Sequence, residues 1–491
     1  MKVSLNRENN RQRMDRAKAT FQKIWGYEDF RYPQGEIIRT LLAGKDALVI
    51  LPTGGGKSIC FQLPALLQTG LTIVVSPLVA LMENQVKQLQ QLGLPGGLLH
   101  GELSKQQRQQ TLHAIARQEL RLLYLSPETL LSVPVWKLIS QPQIEITGLV
   151  LDEVHCSIQW GTTFRPAYRR LSAVRRNLLE CKPAGTKIAV AAFTATADPQ
   201  TQKAIAQALE LQQPETFLVS PYRANLNLKV QTVWTPKGRK QQALNFIRTQ
   251  KKRSGLVYVR SRKDSETIAN WFKSLNYAAK AYHAGLSSTE RRVIESDWLT
   301  GKTQFVVCTS AFGMGIDKPD CAWVVHWHAP ELLAEYIQEV GRGGRNGKLA
   351  EALTLVSEPT GWLNPEDKQR SQFFSQRLQK QYQQARQIAK KIPAQGAFEA
   401  IVKQNPHAEI ALGVLHSLGM VYWQSPFYYQ KKATTISVNR LLAERKHSVE
   451  QLQQYLKTTQ CRWQFLLLSF GFTKEAANFS CGHCDNCLKN K

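Results

Sequence analysis

Three groups of residues have the types and spacing that chemistry needs. The first is Pro52-Thr53-Gly54-Gly55-Gly56-Lys57-Ser58, which follows an apolar run ending at Leu51. Successive glycines leave no side chain between the backbone N–H groups and an approaching anion, so Thr53, Gly54, Gly55 and Gly56 suit a strand-to-helix turn that cradles phosphate oxygens. Lys57 would then reach the β and γ phosphates of a nucleoside triphosphate, and Ser58 would sit on Mg2+. The strict pattern has a further glycine where this chain has Leu51, so the match is to a relaxed form. A glycine-rich turn carrying an exposed lysine is the plainer alternative.

The second group is Asp152-Glu153, at the end of an apolar run over residues 149–151. Carboxylates at the carboxyl end of a buried strand project into the crevice where phosphates bind. Asp152 can hold magnesium there, and Glu153 can orient or deprotonate a water. The third is Gln338-Glu339-Val340-Gly341-Arg342-Gly343-Gly344-Arg345. Arg342 and Arg345 would share one face of a helix and, with Gln338, point into a cleft opposite Lys57, neutralising charge on the transferred phosphoryl group. An exposed basic turn is the alternative for this run alone. Together the three groups point to hydrolysis of a nucleoside triphosphate.

A separate constellation lies near the carboxyl end. Cys481, Cys484 and Cys487 are spaced by two residues, and Cys461 is the natural fourth ligand. Four thiolates suit a closed, structural tetrahedral Zn2+ site; an iron–sulfur cluster and a redox Cys-x-x-Cys remain open on spacing alone. His483 reads as a spacer, because the four cysteines already complete the shell.

The elements that must position these groups follow from patterning. Between residues 45 and 203, short β-branched runs (47–51, 71–76, 122–126, 148–152, 187–194) alternate with longer helical stretches, which predicts a parallel α/β sheet. A second series of the same kind begins near residue 254, with strands at 255–259, 278–282, 304–309 and 323–326. Turn residues over 211–221 and 236–238 place the boundary between the two near residue 216. Beyond residue 359 come a Gln-rich helix over 367–391, helices at 397–405 and 408–418, and a hairpin over 421–430 turning at Ser425-Pro426, a winged-helix-like outline. The expected division is a basic tail (1–20), two domains (21–215 and 216–358), an accessory helical and winged-helix-like region (359–445) and a cysteine-bearing subdomain (446–491).

Composition bounds the partners. The 491 residues, 43% hydrophobic and 21% charged, suit several globular domains and exclude disorder and disulfide scaffolds. A net charge of +27 calls for a polyanionic partner, nucleic acid ahead of anionic membrane. The excess reaches the accessory part, where residues 361–491 hold 18 Lys and Arg against 8 Asp and Glu. The charge-free stretch over 58–82 is broken by Gln62, Pro64, Gln68, Gly70 and Pro77, which argues against a membrane span, and the basic first twenty residues lack the apolar core of a secretory signal. A cytoplasmic protein is expected.

These residues, in this order, resemble the RecQ family of superfamily 2 DNA helicases. The similarity is collinear from about Trp25 to Gly347 through nine motifs, with further agreement at the four cysteines. It implies two tandem RecA-like domains binding ATP between them, a zinc site at Cys461, Cys481, Cys484 and Cys487, and a chromosome-associated ATPase that acts on single-stranded DNA, overhang-bearing duplexes or junctions. It also implies 3′ to 5′ unwinding in recombination and repair. By the same resemblance Tyr27, Arg31 and Gln34 read adenine. His155, Trp160, Phe164 and Arg165 form an aromatic-rich loop coupling DNA to ATP hydrolysis, with Thr194 and Thr196 transmitting nucleotide state. Three departures stand out: Tyr32-Pro33 replaces the usual Pro-Gly, Thr162-Thr163 the frequent His-Asp, and Ala167 a Glu. Longer relatives continue past the cysteines into a winged-helix domain and often an HRDC domain, whereas this chain stops four residues after Cys487. The stretch between residues 373 and 457 exceeds the family's usual link, so the insert is expected to supply some DNA contact. An ATP-driven translocase that does not unwind and a nucleic-acid-binding scaffold with weak ATPase are the competing readings.

Overall fold

The computed structural model describes residues 10–52, 54–157, 165–312, 316, 318–405, 407–432 and 438–489. The chain forms two compact units, each built on a parallel sheet. The first unit contains the chain up to Leu51, Gly55–Val219 and Lys380–Val438; the second contains Pro52–Gly54, Ser220–Gln379 and Asn439–Lys491.

In the first unit, β1 (Ala47–Ile50), β2 (Leu71–Val75), β3 (Gly96–Leu99), β4 (Leu122–Leu125), β5 (Ile146–Leu151), β6 (Ala189–Thr194) and β7 (Glu215–Leu218) lie in the order β3-β4-β2-β5-β6-β1-β7. Their apolar runs are continuous because helices cover both faces of a parallel sheet. The order matters for chemistry. β6 lies between β5 and β1, so the carboxyl ends of three strands, followed by Asp152, Thr196 and the glycine-rich turn, are neighbours.

The second unit pairs β8 (Leu226–Val233), β9 (Gly255–Tyr258), β10 (Ala279–Tyr282), β11 (Phe305–Cys308), β12 (Trp323–His326) and β13 (Ala350–Ser357) in the order β10-β11-β9-β12-β13-β8, again all parallel. The cysteine-bearing end shares its core. Tyr455, Trp463, Leu466 and Cys484 pack in one apolar cluster with Leu226 and Tyr336, and Trp463 Nε1 donates to Leu226 O at 3.1 Å.

The accessory segment within the first unit adds a three-stranded antiparallel sheet of β14 (Gln395–Ala397), β15 (Val421–Ser425) and β16 (Tyr428–Lys431), ordered β14-β16-β15. With the carboxyl half of the Glu366–Lys391 helix and the helices Phe398–Gln404 and Ala408–Ser417, the order is helix, strand, helix, helix, strand, strand, the topology of a winged helix.

Several expectations change. The segment expected as a basic tail is helical from Asn10 to Trp25, because Met14, Ala17, Phe21 and Trp25 recur at helical spacing and pack near Ile38 and Leu63. The first turn stretch, 211–221, contains β7, and β8 lies between it and the second stretch, 236–238. Pro236 and Gly238 there are start signals of the Pro236–Thr249 helix, with Pro at its first position and the Thr235 side chain accepting from Gly238 N. Because β7 pairs with β1, the first unit runs on to Val219. The Val438–Lys457 helix runs through the boundary expected at 445/446. The hairpin turns at Pro426-Phe427, one residue later than expected. No helix among the described residues is long and apolar enough to cross a membrane.

Candidate functional site

The Lys57–Leu67 helix starts directly from the glycine turn. Gly56, at φ +74°, is its N-cap, and no side chain caps it, which keeps the position that an anion would take clear of protein oxygen. A Cβ at Gly56 would fall 2.3 Å from Gln34 Nε2, so glycine is required for close approach as well as for the left-handed backbone. Gln34 Nε2 donates to Gly56 O at 3.3 Å, while Gln34 Oε1 accepts from Arg31 N at 3.0 Å. These bonds use one N–H and one lone pair of the amide, which has as many again for a base. Tyr27 is half exposed and Arg31 exposed, beside a cis Tyr32–Pro33 peptide. Ser58, in the first turn, is half-buried.

From Lys57 a chain of polar contacts crosses three strand ends. Lys57 Nζ lies 3.6 Å from Glu153 Oε1, and Glu153 Oε2 lies 3.3 Å from His155 Nδ1. The same nitrogen is 3.1 Å from Thr194 Oγ1, which donates to Thr196 O at 3.2 Å. Glu153 is held at φ +50°, a conformation that costs a non-glycine residue about 1 kcal/mol or more and turns its carboxylate toward Lys57. Burial disfavours the His155 cation, but the adjoining Cys156 sulfur and the Glu153 carboxylate outweigh it and raise its pKa to about 10.

Asp152 is fixed through its backbone. Its N–H donates to Val75 O at 2.8 Å, its carbonyl accepts from Tyr168 OH at 2.7 Å, and its Oδ1 accepts from Glu153 N at 2.9 Å. Burial and the neighbouring Glu153 carboxylate push its pKa up to about 6, with Lys57 pulling the other way. A carboxylate held at such cost next to a lysine is suited to a divalent cation, which would restore the lost solvation. Arg165 is the next described residue after this segment, 3.4 Å from Glu128 Oε1. Thr53, Trp160 and Phe164 lie outside the described residues.

The arginine run departs from expectation. The Leu333–Val340 helix ends before it, so Arg342 and Arg345 are carried by a turn and not by one helix face. The helix has its C-cap at Gly341, and Gly344, at φ +61°, turns the chain beyond it; Asn225 Nδ2 donates to the Gly344 carbonyl at 2.8 Å, and Arg223 donates both to that carbonyl and to Gly341 O. Arg342 is buried and Arg345 half-buried, and both line a hollow with Trp298, Phe312 and Lys318. Gln338 is half-buried on the preceding helix. A Cβ at Gly344 would meet Asn225 Nδ2 at 2.6 Å and Lys348 O at 2.7 Å. Gly344→Ala is therefore expected to destabilise the second unit by about 2 kcal/mol, read as a lower midpoint in urea unfolding. An unchanged midpoint would contradict this account of the turn.

Sequence reasoning missed the contacts that hold this helix. Arg260 grips Glu339 through Nη1 at 3.0 Å and Nη2 at 2.8 Å, and His326 Nε2 lies 2.9 Å from the same carboxylate. Burial opposes the Glu339 charge, yet Arg260 and His326 hold its pKa at about 2. The signal was present: Glu339 falls on the apolar stripe of Leu333, Tyr336, Ile337 and Val340, where a carboxylate needs a buried partner. Tyr168 was also missed, and nothing in its sequence neighbourhood marks its bond to Asp152.

The four cysteine sulfurs lie within 4.8 Å of one another, with Cys481 Sγ and Cys487 Sγ 3.9 Å apart. Zinc–sulfur bonds of about 2.3 Å in a tetrahedron put sulfurs about 3.8 Å apart, whereas a disulfide needs about 2.0 Å. The set therefore fits one tetrahedral ion and is too tight to enclose an iron–sulfur cluster. Hydrogen bonds from Cys481 and Cys484 draw the Cys461 thiol down while the same contact with Cys461 pushes Cys481 up, so the clustered sulfurs share protons that a bound cation would displace. His483 is not part of this set; its Nε2 lies 3.4 Å from Tyr222 OH.

Comparisons with known proteins agree with this geometry. The DEAD/DEAH box helicase model matches residues 31–205, the helicase conserved C-terminal domain residues 238–347, and the RecQ zinc-binding model residues 430–488. The chain is 51% identical to the ATP-dependent DNA helicase RecQ of Synechocystis over 467 residues, 95% of this chain and 97% of that protein. It is 37% identical to the Haemophilus influenzae RecQ over 71% of this chain and 54% of that protein. Among solved structures, the Mycobacterium smegmatis helicase Lhr bound to ssDNA and AMP-PNP superposes with a TM-score of 0.57 at 17% identity, covering 90% of this chain and 62% of that one. Yeast Dbp5 bound to RNA and ADP BeF3 gives 0.56 at 16% identity, covering 72% and 90%, a likeness of fold. With half of all positions identical along nearly the whole of both chains, and the zinc-binding model matched where the four sulfurs meet, the chain belongs to the RecQ family of ATP-dependent DNA helicases.

Proposed function

We propose that this helicase unwinds duplex DNA with 3′ to 5′ polarity, moving along a single strand in recombination and repair on the cytoplasmic chromosome. The observation that supports coupling of hydrolysis to DNA is the run of contacts from Lys57 through Glu153 and His155 to Thr194, which joins the phosphate-binding lysine to the segment leading into the DNA-coupling loop; the polarity and the pathway are taken from the family resemblance. In this reading Lys57 neutralises the β and γ phosphates, and Ser58 and Asp152 hold Mg2+, which supplies charge neutralisation at the phosphates. Glu153 accepts the proton of the attacking water. His155, sharing Nδ1 between Glu153 and Thr194, aligns that carboxylate. Arg345 and Arg342 offset charge on the transferred phosphoryl group, Gln338 supports them, and Gln34 with Tyr27 and Arg31 reads the base. Trp160, Phe164 and Arg165 engage the single strand. The four cysteines hold a structural Zn2+.

The test is ATP hydrolysis with and without single-stranded DNA, run beside strand displacement on duplexes with either a 3′ or a 5′ overhang. Stimulated hydrolysis with displacement only from the 3′ overhang is expected. Displacement from the 5′ overhang would overturn the polarity, and stimulation without displacement would leave a translocase.

A further inference from the structure

A winged helix in this chain invites a DNA-reading role, in which the second helix of the helix-turn-helix pair enters the major groove. Here that helix, Ala408–Ser417, carries no Lys or Arg, and it packs against the Ala167–Arg170 helix of the same unit. The wing is engaged too. Arg170 Nε donates to Pro426 O at 2.7 Å, Arg176 Nη2 to Trp423 O at 2.7 Å, and Asn177 Nδ2 to Gln424 O at 3.2 Å. The Arg170 guanidinium, buried despite its charge, lies 3.8 Å from the centroid of the Phe398 ring, and Phe427 meets Trp136 edge-on at 5.5 Å. Carbonyls at the end of β15 and in the turn after it are thus satisfied by three side chains of the ATPase domain.

This face meets the Val174–Glu180 helix through Arg176 and Asn177, the Val133–Ile139 helix through Trp136, and the Ala167–Arg170 helix through Arg170 and the Ala408–Ser417 helix. The Ala167–Arg170 helix starts two residues after Arg165, and its Tyr168 hydroxyl bonds the Asp152 carbonyl at 2.7 Å. One short helix therefore closes the segment between the catalytic carboxylates and the end of the coupling loop. We propose that the inserted winged helix is an intramolecular clamp that uses its recognition-helix and wing face to fix this helix, and so sets how strongly DNA stimulates ATP hydrolysis. Arg170 is its positioning residue. The proposal rests on the reading that residues 155–165 couple DNA to hydrolysis.

The test uses the full-length protein with Arg170→Ala, Arg170→Lys and, on the module side, Phe398→Ala. Basal hydrolysis should stay within about twofold of wild type, while the DNA-saturated kcat falls at least fivefold in both alanine variants, with Arg170→Lys intermediate because it keeps the charge but loses the Nε bond. Amide exchange over 167–170 should quicken about tenfold in Phe398→Ala, with or without DNA. A variant that loses only apparent DNA affinity, with kcat at saturation intact, would overturn the clamp in favour of a direct DNA contact. Unchanged exchange would overturn it as well. A wild-type enzyme unstimulated by single-stranded DNA would instead refute the coupling reading, leaving exchange to decide the clamp.

Discussion

Asp152→Asn is expected to cut ATP hydrolysis by orders of magnitude while making the protein more stable. Burial and the Glu153 charge lift this carboxyl to about 6 in the folded chain, above its value in an unfolded one. A raised carboxyl binds its proton more tightly when folded, so folding loses stability as pH rises from about 4 to 6, and the full penalty is present at neutral pH. The asparagine keeps an oxygen to accept from Glu153 N and removes the repulsion. Because the side chain is only half-buried, water screens part of the penalty, and the expected gain is about 1–2 kcal/mol at pH 7, several degrees in Tm. At pH 5 the wild-type carboxyl is mostly protonated, and the difference should shrink. Hydrolysis should fall by about two to three orders of magnitude, since an amide supplies no anionic ligand for the cation. Thermal unfolding at the two pH values, beside steady-state ATPase, checks both signs; a variant no more stable than wild type at pH 7 would show that Asp152 is not strained.

The second large effect concerns the cysteines. Cys484→Ser should remove bound zinc, measured as a fall from about one metal per chain to none, and should leave the second unit insoluble or unfolding far below wild type. The reason is where the site is anchored. Cys484 is fully buried in the cluster that contains Trp463, Leu466 and Tyr336, and Asp485 accepts from Val230 N at 2.9 Å on β8. Losing the ion therefore loosens the edge of the parallel sheet and not only a terminal appendage. Structural zinc contributes about 10–16 kcal/mol of apparent binding energy to small domains, more than most domains have to spare. A chelator strong enough to strip the ion should reproduce the variant. A soluble, fully active Cys484→Ser enzyme without zinc would contradict a structural role.

Both predictions start from groups that are legible in one dimension, because their chemistry is local. A glycine turn before Lys57, adjacent carboxylates after an apolar strand and cysteines spaced by two residues are each recognisable as candidates because the groups lie within the reach of a few bonds. The alternation of apolar runs and helices likewise announced two parallel sheets, since a strand covered on both faces must be apolar throughout. Local signals misled where one residue type serves two purposes. Pro236 and Gly238 read as a turn but open a helix, and the lysines and arginines of residues 1–20 read as a tail, whereas from Asn10 on they lie on a helix whose Ala17 and Phe21 are buried.

The sequence by itself determined the fold class and the four cysteines that meet, because each depends on periodicity or on neighbours within about twenty residues. Only the tertiary structure decided that Glu153 stands between Lys57 and His155, that both arginines lie in a turn beyond the helix end at Val340, and that the winged helix faces Arg170 across 256 residues of chain. These contacts depend on strand order and on which buried polar groups find one another, and burial makes an unmatched partner costly enough to select a single arrangement.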